Sequence, residues 1–261
     1  MGNRDRLIMI DVDGVEIETP RKRTRSTRNG GVKQETKEKF KEEREARIVP
    51  IQAKTENQKL YLDSLQKNAI TVGRGSAGSG KSWCAASVAA NKYLKGEIEQ
   101  IVVMRPLVGM GKSSGFWPGD IRAKIEPYLL PILNTIKERI GVAKYEADFG
   151  KSILIQPMES VRGMNFSAAT YVIVDESQNC TCDEVRSLVT RLATGSFAAF
   201  CGDDRQRDLQ GISGIEYLCN LIKNNNIPDC GVVEFTPADI VRSGLTRIFV
   251  EIFEKEGPAP K

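Results

Sequence analysis

Short apolar runs alternate with longer segments of helical periodicity from residue 69 to the end of the chain. The predicted strands are AITVG (69–73), IVVM (101–104), SILIQ (152–156), YVIV (171–174), AAFCG (198–202) and VVEF (232–235). The predicted helices cover residues 81–95, 120–140, 183–193, 214–223 and 244–256. Apolar strands that alternate with helices are typical of a parallel sheet with helices on both faces. The pattern therefore predicts a doubly wound α/β fold.

The first part of the chain has a different pattern. Residues 1–49 are mostly polar, with the basic run PRKRTRSTR at 20–28 and charges of both signs at 31–47. This composition predicts a charged arm with a solvated helix, followed by one domain over residues 50–261. The basic run is either ordinary solvated surface or a contact for nucleic acid or an acidic partner. Thr55, with Gln58 three positions later, predicts the N-cap of a short helix.

Bulk composition narrows the class of protein. The chain has 261 residues, 28% of them charged, and a formal net charge of +4, which permits nucleic-acid contact without arguing for it. No apolar run approaches the roughly 18 residues of a membrane helix, and no secretory signal precedes the domain, so we expect a cytoplasmic protein without a membrane partner. The six cysteines lack CxxC spacing. Cys180 and Cys182 could bind a metal, but the absence of histidine favours reduced thiols.

The segment GSAGSGKS, between the first predicted strand and helix of the domain, fits the pattern GxxxxGK[ST] in full. Glycines let the backbone N–H groups curl around phosphate oxygens at the positive end of the next helix. We predict that this segment binds ATP. Lys81 is predicted to reach the β- and γ-phosphates and Ser82 to hold Mg²⁺. The predicted nucleotide contacts in the loop are Gly75, Ser76, Ala77, Gly78, Ser79, Gly80, Lys81 and Ser82.

Two further polar clusters follow predicted strands. Asp175 and Glu176 come directly after YVIV, where Asp175 is predicted to hold Mg²⁺ through water and Glu176 to activate the attacking water. An acid aimed at water favours ATP hydrolysis over a small-molecule kinase. GDDRQRD (202–208) follows AAFCG and puts Gln206 where it can sense the γ-phosphate. Trp83, on the helix after the loop, is expected to pack against the sheet.

From about Thr55 onward, roughly four-fifths of the chain resembles the PhoH family of P-loop ATPases, whose RecA-like core is similar to the motor domain of superfamily-one helicases. The matching stretches are TENQKLYLDSL, GSAGSGKS, IVVMRPLV with GFWPGD, SVRGMNF, YVIVDESQN, GDDRQRD and DIVRSGLTRI. The resemblance implies that Gln58 contacts adenine, that Gln178 and Gln206 couple phosphate state to the rest of the protein, and that Arg105 and Arg162 line the functional face. It also implies hexamers. After Arg242 the sequence departs from the family, because Ser243 and Gly244 replace the usual histidine and proline.

Efficient hydrolysis needs positive charge at the γ-phosphate, which an arginine finger supplies with an effect of about 10³–10⁵ on rate. The sequence holds only one phosphate loop and one strand series, so a second motor domain is not predicted. We therefore expect a homo-oligomeric ring in which a neighbouring subunit supplies the finger. Arg242 is the first candidate, ahead of Arg205, Arg207 and Arg162. An ion pair between Arg242 and Asp239 is the alternative role.

Two functions remain open at this stage. One is a Mg²⁺-dependent ATPase ring that acts as a helicase-like motor or clamp on single-stranded nucleic acid, with RNA favoured. The other is an ATP-controlled scaffold or switch that binds a protein partner without motor activity. Phe166, in the stretch RGMNF, could stack on a base in the first case, although a core position is the commoner role of a phenylalanine.

Overall fold

The computed structural model describes residues 9–10, 16–17, 48–107, 121–208 and 210–241, together with 244–245, 248–249, 252 and 256. The chain divides into two compact units, Met1–Glu42 and Glu43–Lys261. In the first, strands β1 (Met9–Ile10) and β2 (Glu16–Ile17) pair antiparallel. The sequence analysis did not predict this pair, and most of the predicted charged arm lies outside the described residues.

The second unit is built on a six-stranded sheet in the order β5-β4-β6-β7-β3-β8, in which every pairing is parallel. The strands are β3 (Ile70–Gly75), β4 (Gln100–Arg105), β5 (Ile153–Pro157), β6 (Thr170–Val174), β7 (Phe197–Gly202) and β8 (Cys230–Phe235). All six strands therefore end at the same edge of the sheet. The predicted doubly wound α/β fold with a parallel sheet is confirmed.

Six α-helices have complete bounds within the described residues of this unit, one before β3 and the others between strands. They are α1 (Glu56–Lys67), α2 (Lys81–Lys95), α3 (Ile121–Ile140), α4 (Val142–Asp148), α5 (Cys182–Val189) and α6 (Gly214–Asn225). Each described position between 244 and 256 is also helical. Among these residues, no helix is long and apolar enough to cross a bilayer.

Two apolar layers cover the two faces of the sheet. Ile101 and Val103 of β4 belong to the layer under α1 to α4, whereas Val102 and Met104 belong to the layer under α5 and α6. The alternation follows from the two-residue period of a strand. Because both faces are covered, the central residues of the inner strands are apolar on both sides, which explains why they were visible in the sequence as continuous runs.

Helix α5 ends at Val189, four residues before the predicted end. The next residues instead pair with the segment around Phe166: the Phe166 N–H donates to the Arg191 carbonyl at 3.1 Å and the Ala193 N–H to the Phe166 carbonyl at 3.0 Å. The Phe166 side chain is buried in the α5 and α6 layer, which confirms its core position. A tertiary pairing thus replaces the last helical turn.

Candidate active site

The phosphate loop, residues 75–82, connects the end of β3 to the start of α2. Gly75, Gly78 and Gly80 have φ angles of +114°, +77° and +84°, a region that L side chains rarely adopt. At Gly75 a Cβ atom would also collide with the carbonyl oxygen of Phe235, the last residue of β8. The glycine pattern is therefore required by the backbone path of the loop and by its close contact with the neighbouring strand.

Lys81 lies inside the curve of this loop. Its Nζ donates hydrogen bonds to the carbonyl oxygens of Gly75 at 2.7 Å and Ser76 at 2.8 Å and to Ser79 Oγ at 3.2 Å. Burial lowers the pKa of this amine, although the nearby carboxylate of Asp203 opposes the shift. The ammonium group is held by neutral acceptors, which are weaker partners than charged phosphate oxygens.

The acid-pair turn, residues 175–178, begins where β6 ends. The Asp175 N–H donates to the Met104 carbonyl at 2.8 Å, and Ser82 Oγ donates to Asp175 Oδ1 at 2.7 Å. Burial raises the pKa of Asp175, and the neighbouring charge of Glu176 acts in the same direction, whereas Ser82 and Arg105 oppose it. The structure thus brings together a hydroxyl and a carboxylate, the hard oxygen donors that Mg²⁺ prefers. These residues fit the predicted metal site.

Glu176 adopts a left-handed backbone conformation, with φ +50° and ψ +39°. Such a conformation costs a non-glycine residue about 1–2 kcal/mol. A turn holds it, in which the Asn179 N–H donates to the Glu176 carbonyl at 2.9 Å. Backbone strain of this kind clusters at functional sites, which adds a structural argument to the sequence-based prediction for Glu176.

Arg105, the last residue of β4, lies against both acids. Its Nη1 is 3.2 Å from Asp175 Oδ2 and its Nη2 is 3.8 Å from Glu176 Oε1. The guanidinium carbon is 5.3 Å from the centre of the Tyr128 ring on α3. Sequence reasoning placed Arg105 on the functional face only by resemblance, and it missed Tyr128 because nothing in the sequence shows where α3 packs.

Gln178 joins the acid-pair turn to the end of β7. Its Nε2 donates to Glu176 Oε2 at 2.6 Å, while its Oε1 accepts from the Asp203 N–H at 3.0 Å. Gln206 is attached to the same segment, with Nε2 3.2 Å from Asp203 Oδ2. Gly202 permits this approach, since a Cβ there would lie 3.0 Å from the Gln178 N atom. One hydrogen-bonded chain therefore connects Glu176 to the Gln206 segment.

These groups surround a cleft of about 510 Å³. The predicted residues that line it are Ala77, Gly78, Gly80, Lys81, Ser82, Asp175, Glu176 and Gln206. Gly75, Ser76, Ser79, Gln58 and Gln178 are not among the lining residues described. Gln58 is 2% exposed, donates to the Ser79 carbonyl at 2.8 Å and accepts from the Lys54 N–H at 2.8 Å. It therefore supports the loop from behind, and its contact with adenine stays a prediction.

Trp83 does not lie where the sequence analysis expected it, against the sheet. Its side chain is 40% exposed and lines the cleft, under the guanidinium of Arg139 at 5.4 Å, and so does not pack against the sheet. The reason is its place in the first turn of α2, the end of the helix that faces the cleft. A tryptophan two residues after the loop lysine was the available signal.

The candidates for the arginine finger do not line the cleft within the described residues. Arg242 lies outside the described residues, so the structure does not choose between its two roles. Asp239, its alternative partner, already accepts from the Thr236 N–H at 2.8 Å, from Thr236 Oγ1 at 3.0 Å and from Asn57 Nδ2 at 2.8 Å. Arg207 lies 3.6 Å from Glu216, and Arg162 lies in a 3-10 helix. Neither of these two lines the cleft as described.

Comparisons with known proteins show which family this chain is similar to. The family profile described as PhoH-like protein matches residues 50–254. The PhoH-like proteins of Bacillus subtilis and Synechocystis are each 34% identical, over 79% and 81% of this chain, and the protein PhoH of Escherichia coli is 33% identical over 75%. These alignments span 65%, 66% and 56% of those relatives, so the chain matches less than two thirds of their length.

Among solved structures, the UvsW helicase of bacteriophage T4 matches with a TM-score of 0.43 and 13% identity, over 76% of this chain and 67% of that one. The Pif1 helicase of Candida albicans matches with a TM-score of 0.33 and 15% identity, over 72% and 41%. The family profile covers well over half of the chain and includes the phosphate loop, the acid-pair turn and the cleft between them. This chain, a P-loop NTPase by its fold, belongs to the PhoH family.

Proposed function

We propose that the protein binds ATP with Mg²⁺ and hydrolyses it in the cleft between the phosphate loop and the acid-pair turn. The observation that carries the proposal is that Glu176 lines the same cleft as Lys81 and the Ser82–Asp175 pair. A phosphate-binding loop, a magnesium site and a carboxylate able to take a proton from water are the parts that hydrolysis requires.

Each residue has a distinct task in this proposal. Lys81 would exchange the carbonyl oxygens of its own loop for phosphate oxygens, and Ser82 and Asp175 would hold the metal. Bound Mg²⁺ would neutralise charge on the phosphates. Glu176 accepts the proton of the attacking water, while Gln178 orients the Glu176 carboxylate through the 2.6 Å hydrogen bond. Gln206 senses the γ-phosphate from the end of β7.

We further propose that the ATPase works as a homo-oligomeric ring, a hexamer by resemblance to the family, and that it acts on single-stranded nucleic acid, with RNA favoured. The basic run at 20–28 and the helicase-like order of the motifs support this part. The second candidate is an ATP-controlled scaffold that binds a protein. A motor should hydrolyse ATP faster with single-stranded RNA, and the stimulation should fade steeply as salt rises, because phosphate contacts release counterions.

The test combines phosphate release with binding of a fluorescent ADP derivative, such as a methylanthraniloyl ADP, on the full chain. Wild-type protein should release phosphate only with Mg²⁺, and Lys81→Ala should lose both binding and release. A wild-type rate that stays at background with Mg²⁺ would reject the ATPase proposal. A clear rate that single-stranded RNA leaves unchanged at low salt would instead favour the scaffold.

The ring is tested through Arg242. Arg242→Ala should keep nucleotide affinity but lower turnover at least about tenfold, since a finger acts on the γ-phosphate and contributes little to nucleotide binding. The mass of the protein in solution should rise in the presence of ATP and Mg²⁺. Brisk turnover by a species of 28.9 kDa would exclude a requirement for a neighbour.

A further inference from the structure

Arg105 pairs with both carboxylates of the acid-pair turn. Asp175 uses one carboxylate oxygen for Ser82, at 2.7 Å, and the other for Arg105, at 3.2 Å. The second guanidinium nitrogen lies 3.8 Å from Glu176. Two adjacent carboxylates repel each other when both are ionised, so a cation between them stabilises the pair. Arg105 is that cation in this structure.

The guanidinium of Arg105 also contacts an aromatic ring, in addition to the two acids. Tyr128 lies 5.3 Å from the guanidinium carbon, close enough for an Arg–aromatic contact. The Arg105 side chain is 19% exposed, and the exposed part faces the cleft that Lys81, Glu176 and Gln206 also line. Arg105 is therefore a cation that already belongs to the reaction site and needs no neighbouring subunit to reach it.

The charge around Arg105 would change if Asp175 bound Mg²⁺ together with a nucleotide. Asp175 is the carboxylate that fits the metal, so a divalent ion there competes with the guanidinium for the same oxygens. The γ-phosphate brings negative charge into the same cleft. A guanidinium has a planar set of donors that matches phosphate oxygens, and it remains charged at any working pH.

We infer that Arg105 is a catalytic arginine supplied in cis. The acid pair and Tyr128 hold its guanidinium in the nucleotide-free protein. Once Asp175 binds the metal, the guanidinium leaves the acid pair and contacts the γ-phosphate. The inference rests on the proposed ATPase function and goes beyond it, because it gives each subunit an arginine of its own in addition to any finger from a neighbour.

Metal binding without nucleotide tests whether Arg105 competes with the metal for Asp175. Arg105→Gln removes the competing cation, so Mn²⁺ bound to the nucleotide-free chain, followed by electron paramagnetic resonance, should bind about tenfold more tightly. Arg105→Lys keeps the charge and should stay near the wild-type affinity. The matched control is Arg186→Gln, because Arg186 also stacks on a tyrosine, Tyr217 at 5.7 Å, near the acid Asp183 at 3.9 Å, but on α5 outside the cleft lining. Equal Mn²⁺ affinity in Arg105→Gln and wild type would overturn the inference.

Nucleotide binding tests, without any hydrolysis, whether Arg105 contacts the γ-phosphate. Wild-type protein should prefer ATPγS over ADP, and Arg105→Gln should lose about tenfold of that preference, the effect of one charge-assisted hydrogen bond to the γ-phosphate. Affinity for ADP should remain within a few-fold in the same variant. An unchanged preference means that Arg105 does not contact the γ-phosphate, and the inference fails even if the protein is an ATPase.

Mixed oligomers show whether Arg105 acts on the nucleotide of its own subunit or on that of a neighbouring subunit. Lys81→Ala subunits cannot use ATP but carry every arginine, so they should restore turnover to Arg242→Ala subunits and leave Arg105→Gln subunits inactive. Recovery in the Arg105→Gln mixture would show that Arg105 acts across an interface and would overturn the assignment. If the wild-type chain hydrolyses no ATP at all, the proposed function fails, and the Mn²⁺ and ATPγS measurements still decide the role of Arg105.

Discussion

The phosphate loop and the acid-pair turn lie on two strands of one sheet, β3 and β6, with β7 between them, yet they are held by different kinds of interaction. The loop is shaped by its own backbone: three glycines at positive φ and a lysine that donates to the carbonyls of Gly75 and Ser76. The turn is shaped by groups from elsewhere, namely the side chains of Ser82 on α2 and Arg105 on β4 and the backbone N–H of Asp203 after β7, which donates to Gln178.

This difference decides how each region responds to change. In the loop, the hydrogen bonds of Lys81 join residues within six positions of each other, while Gln58, Phe235 and Val241 contact the loop backbone from outside, so a substitution acts on the backbone path of the loop. In the turn, the partners are distant in the sequence, such as Arg105 and Asp175, and a substitution acts on the relative charge of several elements. We expect mutations in the turn to affect the rate of hydrolysis and mutations in the loop to affect stability and nucleotide binding together.

The largest effect is expected from Glu176→Gln, which keeps the size of the side chain but removes the proton acceptor. The rate of phosphate release should fall by about 10²–10⁴, the usual contribution of a general base, while nucleotide affinity changes little. Glu234→Gln is the control, because Glu234 pairs with Lys223 at 2.8 Å on exposed surface of β8. A Glu176→Gln protein that still turns over ATP at the wild-type rate would remove Glu176 from the mechanism.

Gly75→Ala addresses the loop and should have the next largest effect. The added Cβ would meet the carbonyl oxygen of Phe235 at a φ of +114°, so the free energy of unfolding should fall by about 2–4 kcal/mol and nucleotide affinity should fall as well. Urea unfolding and ADP titration measure the two effects.

Gly96→Ala isolates the cost of the backbone angle from that of the collision. Gly96 has a φ of +74°, but a Cβ there would have no atom within 4 Å. The loss of stability should be only about 1 kcal/mol, with normal ADP affinity. Equal losses at Gly75 and Gly96 would contradict the close contact between the loop and β8.

The smallest effect concerns the segment that supports the loop from the C-terminal side. The Val241 N–H donates to the Gly78 carbonyl at 3.3 Å, and the turn before it is closed by Asp239. Burial opposes ionisation of Asp239, but hydrogen bonds from Asn57 and Thr236 outweigh it and lower the pKa of the carboxyl group. A lowered folded-state pKa stabilises the protein above the ordinary value of about 3.9, and this contribution is lost as the pH falls through the folded-state pKa.

Asp239→Asn should therefore cost about 1 kcal/mol at pH 7, and the difference from wild type should shrink as the pH falls below about 4. Urea unfolding across this range measures it. A difference that does not depend on pH would assign the loss to altered packing and not to the ionised carboxylate.

Much of the site was predictable because each motif is local. The alternation of apolar runs and helices predicted the parallel sheet, and a parallel sheet brings the ends of its strands to one edge. GSAGSGKS and the acids after YVIV could therefore be placed at the same edge of the sheet from the sequence alone. The glycines were predictable because a loop that curls around phosphate requires positive φ angles within the loop itself, whereas the contact of Gly75 with Phe235 was visible only in the folded chain.

Other features depended on which elements pack against each other, and no short stretch of sequence contains that information. Arg105 reaches the acids only because β4 lies next to β6, and Tyr128 reaches Arg105 only because α3 packs over that edge. For the same reason Gln58 lies behind the loop, Trp83 faces the cleft and α5 ends early against Phe166. The positive φ angles of the phosphate loop are set by its own glycines, so the sequence alone could predict them. Charge pairing at the acid-pair turn is set by neighbours in space, and only the folded sheet could decide it.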